Sequence, residues 1–123
     1  MYSSATKAYR QVALESAPKT EILDRLFGRL EADLRAGQDA INRGDVTARA
    51  MALDHADRIL TELIAALDKG AAPELCGNLD ALYRYCQLCI TRASLQKVAA
   101  QLDQPLAIVA TLRAAFAEAT AAR

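Results

Sequence analysis

Leu53-Asp54-His55-Ala56-Asp57-Arg58-Ile59-Leu60-Thr61-Glu62-Leu63-Ile64-Ala65-Ala66-Leu67 decides the fold class. Leu53, Ala56, Leu60, Leu63 and Leu67 recur at alternating steps of three and four, the spacing that stacks side chains on one face of an α-helix. Arg58 and Glu62 fall on the far side as a reversed i, i+4 pair. The same period continues outward in both directions. Upstream it runs through Ile22, Leu23, Leu26, Phe27, Leu30, Leu34 and Ile41. Downstream it takes in Leu75, Leu79, Leu82, Cys86, Cys89 and Ala93, continued by Leu95, Val98 and Leu102. A last stripe holds Leu106, Val109, Leu112 and Phe116.

Punctuation separates the four stripes. Pro18 and Pro73 sit where a first helical turn tolerates a missing N–H, Gly44 is a C-terminal stop, and Asp45 and Asp103 are N-caps. The spacing predicts helices at about 18–43, 46–69, 73–102 and 104–121 in one domain over 17–123. Amphipathic helices joined by short loops pack as an antiparallel up-and-down four-helix bundle, so the fold class is all-α. Residues 1–16 stand apart. Tyr2, Ala5, Tyr9 and Val12 recur at helical spacing in a segment too short for a stable isolated helix. The segment is expected to be a strap or helical cap, packed on the bundle or closing an apolar groove.

Composition agrees with the periodicity. The 123 residues hold 27 Ala and 17 Leu against 4 Val and 6 Ile, which favours helix over strand. Lys+Arg and Asp+Glu are 15 each, so the net charge is zero and the electrostatic drive of nucleic-acid binding is missing. No apolar run approaches the roughly 18–20 residues of a membrane span, so membrane insertion is not expected. Cys76, Cys86 and Cys89 are odd in number and clustered, unlike a secreted disulfide framework, and read as free thiols of a cytoplasmic protein.

Catalytic constellations are hard to assemble from these residues. His55 is the one histidine, and Cys86-Gln87-Leu88-Cys89 lies on the apolar stripe of a helix, where small core residues fit better than metal ligands. A di-iron bundle would need Glu three residues before the histidine, and that residue is Ala52. The glycines are scattered singly, so no phosphate-cradling loop forms. No cofactor, metal or enzymatic activity is expected. A histidine phosphotransfer domain shares this length and architecture and would use His55. Its His-x-Leu-Lys-Gly pattern, however, meets His55-Ala56-Asp57-Arg58-Ile59, with a charge where an apolar residue belongs and Ile59 in place of Gly.

Taken in order, the motifs resemble those of the flagellin-specific export chaperone family, FliS. The chain opens Met1-Tyr2, continues Ala8-Tyr9-Arg10-Gln11-Val12, and enters its first helix through Ser16-Ala17-Pro18. Ile22-Leu23-Asp24-Arg25-Leu26-Phe27-Gly28 is similar to the family's first-helix run, though without Asp before Gly28. Ile59-Leu60-Thr61-Glu62-Leu63-Ile64-Ala65-Ala66-Leu67-Asp68 and Asn78-Leu79-Asp80-Ala81-Leu82-Tyr83-Arg84-Tyr85 follow the second and third helices. Leu112-Arg113-Ala114-Ala115-Phe116 closes the last, with Phe116 for the usual Trp; Thr6 and Arg92-Ala93-Ser94-Leu95 are further departures.

The resemblance implies a binding module: a cytoplasmic chaperone that holds the disordered C-terminal segment of flagellin, prevents premature polymerisation and delivers it to a flagellar export gate component. Monomer and weak homodimer both stay open. It further implies that Tyr2 and Tyr9 belong to a cap displaced by the client, and that Leu23, Leu26, Phe27, Leu79, Leu82 and Tyr83 line the client's path. Tyr83, an aromatic with a polar tip, is expected at a groove edge. The alternative within this resemblance is a divergent paralogue, a helical adaptor in flagellar assembly or regulation.

Overall fold

The computed structural model describes residues 17–121, so the expected strap over 1–16 lies outside the described residues. Helix α1 spans Ala17–Arg43, α2 Val46–Ala65, α3 Pro73–Gln96 and α4 Asp103–Ala121, with a 3-10 turn at Ala99–Leu102 between the last two. No strand occurs among the described residues. Each helix packs on its sequence neighbours and α4 returns to α1, which closes the ring of an up-and-down bundle. The antiparallel run of α1 and α4 is visible in their cross-links. Asp24 near the start of α1 meets Arg113 late in α4, while Gln38 further along α1 reaches Ala99 and Asp103.

The core takes one stripe from each helix: Phe27, Leu30 and Leu34; Leu53, Ile59, Leu60 and Leu63; Leu79, Tyr83, Cys86 and Ile90; Val109, Leu112 and Phe116. Each buried large aliphatic side chain contributes roughly 1.5–3 kcal/mol relative to exposure. Phe27 and Phe116 meet edge to face with ring centroids 6.5 Å apart. α1 and α2 approach closely at Gly37, where a Cβ would lie 2.5 Å from Leu53 Cδ2.

The α1–α2 turn forms as its sequence predicts. Gly44 adopts a left-handed φ of 71°, and the Asp45 N–H reaches back to the Ala40 carbonyl at 2.9 Å, a Schellman closure. The Asp45 carboxylate then accepts from the Ala48 N–H at 3.0 Å and caps α2.

Other expectations are corrected. α2 stops at Ala65, short of 69, because the Asp68 carboxylate gathers the Gly70 and Ala71 N–H groups into a turn. Arg58 pairs back to Asp54 at 3.1 Å; with the acid N-terminal, this is the better orientation, and no pair to Glu62 forms. Ile22 is exposed, outside the core stripe. α3 ends at Gln96, well before 102: Lys97 turns left-handed at φ 58° and Val98 is extended. That break lets Leu102 drop into the core, fully buried, while Gln38 Nε2 donates to the Ala99 carbonyl at 3.1 Å and the Asp103 carboxylate at 2.8 Å. Asp103, the first residue of α4, therefore uses its carboxylate on α1.

Candidate functional site

Helix α3 carries two competing apolar registers. Leu79, Tyr83, Cys86, Ile90 and Ala93 step by four and three and are all buried. Leu75, Leu79, Leu82, Cys86, Cys89 and Ala93 also step by four and three, and the two registers share Leu79, Cys86 and Ala93. Packing against α2 and α4 buries all of the first, and of the residues peculiar to the second it fully buries Cys89 alone. Tyr83, expected at a groove edge, is 4% exposed and forms part of the core, while Leu82 is 37% exposed. The edge position falls to Tyr85, which is 38% exposed.

Tyr85 and Leu82 mark the seam between α3 and α4. The Tyr85 hydroxyl donates to Gln104 Oε1, which ties the seam at one end. The phenol is held protonated above its ordinary range, foremost by its hydrogen bond with Cys89 and then by burial of the group. Leu82 lies one turn back along α3 on the same side, and Ile108, half-buried, one turn on along α4. Because the two helices run in opposite directions, those turns lie side by side. The positions of α4 that border them outwardly, Ala107, Thr111 and Ala114, are small and exposed. The result is a shallow apolar trough with a polar tip at one end, the shape into which an amphipathic segment lays a hydrophobic face.

The other expected site residues distribute differently. Leu23 and Leu26 are half-buried against the core, Phe27 and Leu79 are buried, and Tyr2 and Tyr9 lie outside the described residues. Leu26 lies two turns before Asp33, on the side of α1 that faces α2, whereas Phe27 meets Phe116 at the opposite seam, between α1 and α4. That seam opens at its end as a cleft of about 580 Å³ lined by Thr20, Glu21, Asp24, Arg25, Phe116, Ala117 and Ala121. Below the cleft, Arg113 bonds Asp24 at 2.9 Å and approaches Glu31 at 3.6 Å, passing over Gly28, where a Cβ would lie 3.1 Å from the guanidinium. The Arg113 hydrogen bond holds the Asp24 carboxyl below its usual range.

Candidate chemistry elsewhere is sparse. His55 is half-exposed, and its Nδ1 is engaged by the Asp33 carboxylate on α1. Cys86 and Cys89 point into the core, and burial pushes the Cys86 thiol up to about 12, which makes it a poor nucleophile and a poor ligand. No group of three or more His, Cys, Asp and Glu capable of holding a metal ion occurs among the described residues. No described helix is long and apolar enough to cross a membrane. The residues that sequence reasoning missed are Tyr85, whose motif was in view but whose side was not, and Leu88, which faces solvent; Leu95 and Val98, expected to continue the apolar stripe, are exposed instead, because α3 ends at Gln96.

Comparison with known proteins gives three matches along nearly the whole length. The sequence model of a family described as Flagellar protein FliS matches residues 1–123. The chain is 30% identical over 122 residues to the flagellar secretion chaperone FliS of Salmonella typhimurium, covering 94% of this chain and 90% of that protein. It is 29% identical over 122 residues to the flagellar secretion chaperone FliSB of Pseudomonas aeruginosa, covering 94% of this chain and 96% of that protein.

Proposed function

This chain belongs to the flagellar protein FliS family and is a flagellar export chaperone, and we propose that its client is flagellin. It binds the disordered C-terminal segment of flagellin, keeps that segment from polymerising early, and delivers it to a component of the flagellar export gate. The observation that supports this reading most directly is the trough beside Leu82 and Tyr85: apolar surface left open at the seam between two packed helices. Exposed apolar surface at a helix pair has no use in a structural bundle and is what a helix-in-groove client needs. Leu79 and Tyr83 support the trough from beneath, and Leu23, Leu26 and Phe27 serve the core and the far wall. The N-terminal segment carrying Tyr2 and Tyr9 acts as the cap that the client displaces and the gate then reads. A disordered client loses chain entropy on binding, so affinity comes from area spread along a wrap and not from one pocket.

Calorimetric titration with the C-terminal segment of the same organism's flagellin tests this. A one-to-one complex with a large negative heat-capacity change is expected. Leu82→Ser combined with Tyr85→Ser should weaken it about tenfold or more, a loss of about 1.4 kcal/mol or greater, with the helical circular dichroism unchanged. Equal binding by the double variant removes the trough from the site, and no heat from the folded wild type removes flagellin as the client.

A further inference from the structure

We propose a second docking surface on the outward ridge of α3, formed by Leu88, Leu95 and Val98 with Arg92 and Lys97, whose partner is an amphipathic helix carrying carboxylates beside its apolar stripe. This goes beyond the flagellin reading and uses different residues.

Leu88 lies two residues from both Cys86 and Ile90, so at roughly 100° per residue it points away from the core that they face. Leu95 follows seven residues later, two turns on, along the same line. Leu88 is 44% exposed, Leu95 78% and Val98 42%. A single exposed leucine is ordinary; two on one line of a helix, with an exposed valine just past its end, gather apolar surface at one end of the bundle. The left-handed turn at Lys97, at a position where glycine is the usual residue, ends α3 just after Leu95 and leaves Val98 exposed beyond it.

Charge selects the occupant. The protein as a whole is neutral, yet residues 81–102 hold Arg84, Arg92 and Lys97 and no acidic residue. Arg84 is engaged by Asp80 at 3.0 Å. Arg92 and Lys97 form no ion pair among the described residues, and both border this surface. A second copy of this chain fits poorly: a two-fold axis through the middle of the ridge would set Arg92 against its own image. A lipid surface fits poorly as well, since three side chains and two free cations give little to insert or attract. A helix with an apolar stripe and flanking carboxylates satisfies both features at once.

The test uses the full chain and two synthetic amphipathic helical peptides with the same leucine stripe, one flanked by Glu and one by Lys, followed by fluorescence anisotropy. The Glu peptide is expected to bind and to weaken as salt rises, the Lys peptide to bind roughly tenfold less tightly or worse. Leu95→Asp should abolish binding of the Glu peptide, and Arg92→Glu with Lys97→Glu should transfer the preference to the Lys peptide. Leu82→Ser with Tyr85→Ser should leave both affinities unchanged, which separates this surface from the trough whatever becomes of flagellin. Equal binding of the two peptides, no binding of the Glu peptide, loss only in the trough variants, or capture of the protein by anionic vesicles in place of the peptide would each overturn the proposal.

Discussion

The two seams that α4 makes with its neighbours are built in opposite ways. Against α1 it is locked: Phe116 meets Phe27 edge to face, Arg113 spans Asp24 and Glu31, and Gln38 holds the turn that precedes the helix. Against α3 the side-chain hydrogen bond from Tyr85 to Gln104 ties the helices, and Leu82 stays open to solvent. The contrast separates holding from binding. A four-helix bundle needs its ring closed, but a seam that is closed tightly everywhere leaves no apolar surface for a client.

Truncation at the locked seam gives the sharpest contrast. Phe27→Ala should cost about 3–5 kcal/mol, while Tyr85→Ala at the open seam should stay within about 1 kcal/mol, both read from urea denaturation. Equal losses would mean that the seams do not differ in kind.

Cys86 sharpens the inside–outside difference, because it is one residue from Tyr85 yet fully buried. Its thiol is pushed up to about 12 by burial, with Cys89 adding to the effect. The unfolded chain therefore releases this proton first, from about pH 8.5 upward, and stability should fall as pH rises above that value. The loss should be about 2 kcal/mol by pH 10, and Cys86→Ala should flatten that alkaline limb in denaturant melts. An identical limb in the variant would assign it to other groups.

Lys97→Gly relieves a left-handed residue that carries a Cβ, and should raise stability by about 1 kcal/mol in thermal or urea melts. A loss in its place would show that the Lys97 side chain supports the turn.

The smallest effect belongs to the exposed ion pair. The Arg113 guanidinium holds Asp24 below its ordinary range, so its contribution is present above the unfolded carboxyl value near 3.9 and disappears as pH falls through the lower folded value. Both side chains are well exposed, and solvent screening limits the pair to a few tenths of a kcal/mol. Arg113→Met should remove that small acid-sensitive increment, measurable by comparing denaturation midpoints at pH 6 and about pH 3.

How far the fold could be read in advance varied with local chemistry. Gly44 and Asp45 announced their turn because each has a specific backbone or capping role, and both perform it. The end of α3 had no such signal: Gln96-Lys97-Val98 contains neither Gly nor Pro, and the helix stops because Leu102 must reach the core. The candidate site was half legible. Leu82 was expected along the client's path and is exposed, but Tyr83 was expected at the edge that Tyr85 occupies, because two heptad-like registers run through α3 and share Leu79, Cys86 and Ala93.

By itself the sequence determined four helices, their order and the family, since periodicity, caps and motif order are local or linear properties of the chain. Which apolar side chains became core and which became surface was decided only by tertiary packing. An apolar stripe is wider than the contact it makes, and the neighbouring helices choose the part that is buried. On α3 that choice turned Tyr83 inward and left Leu82, Tyr85, Leu88 and Leu95 outside, where a partner can reach them.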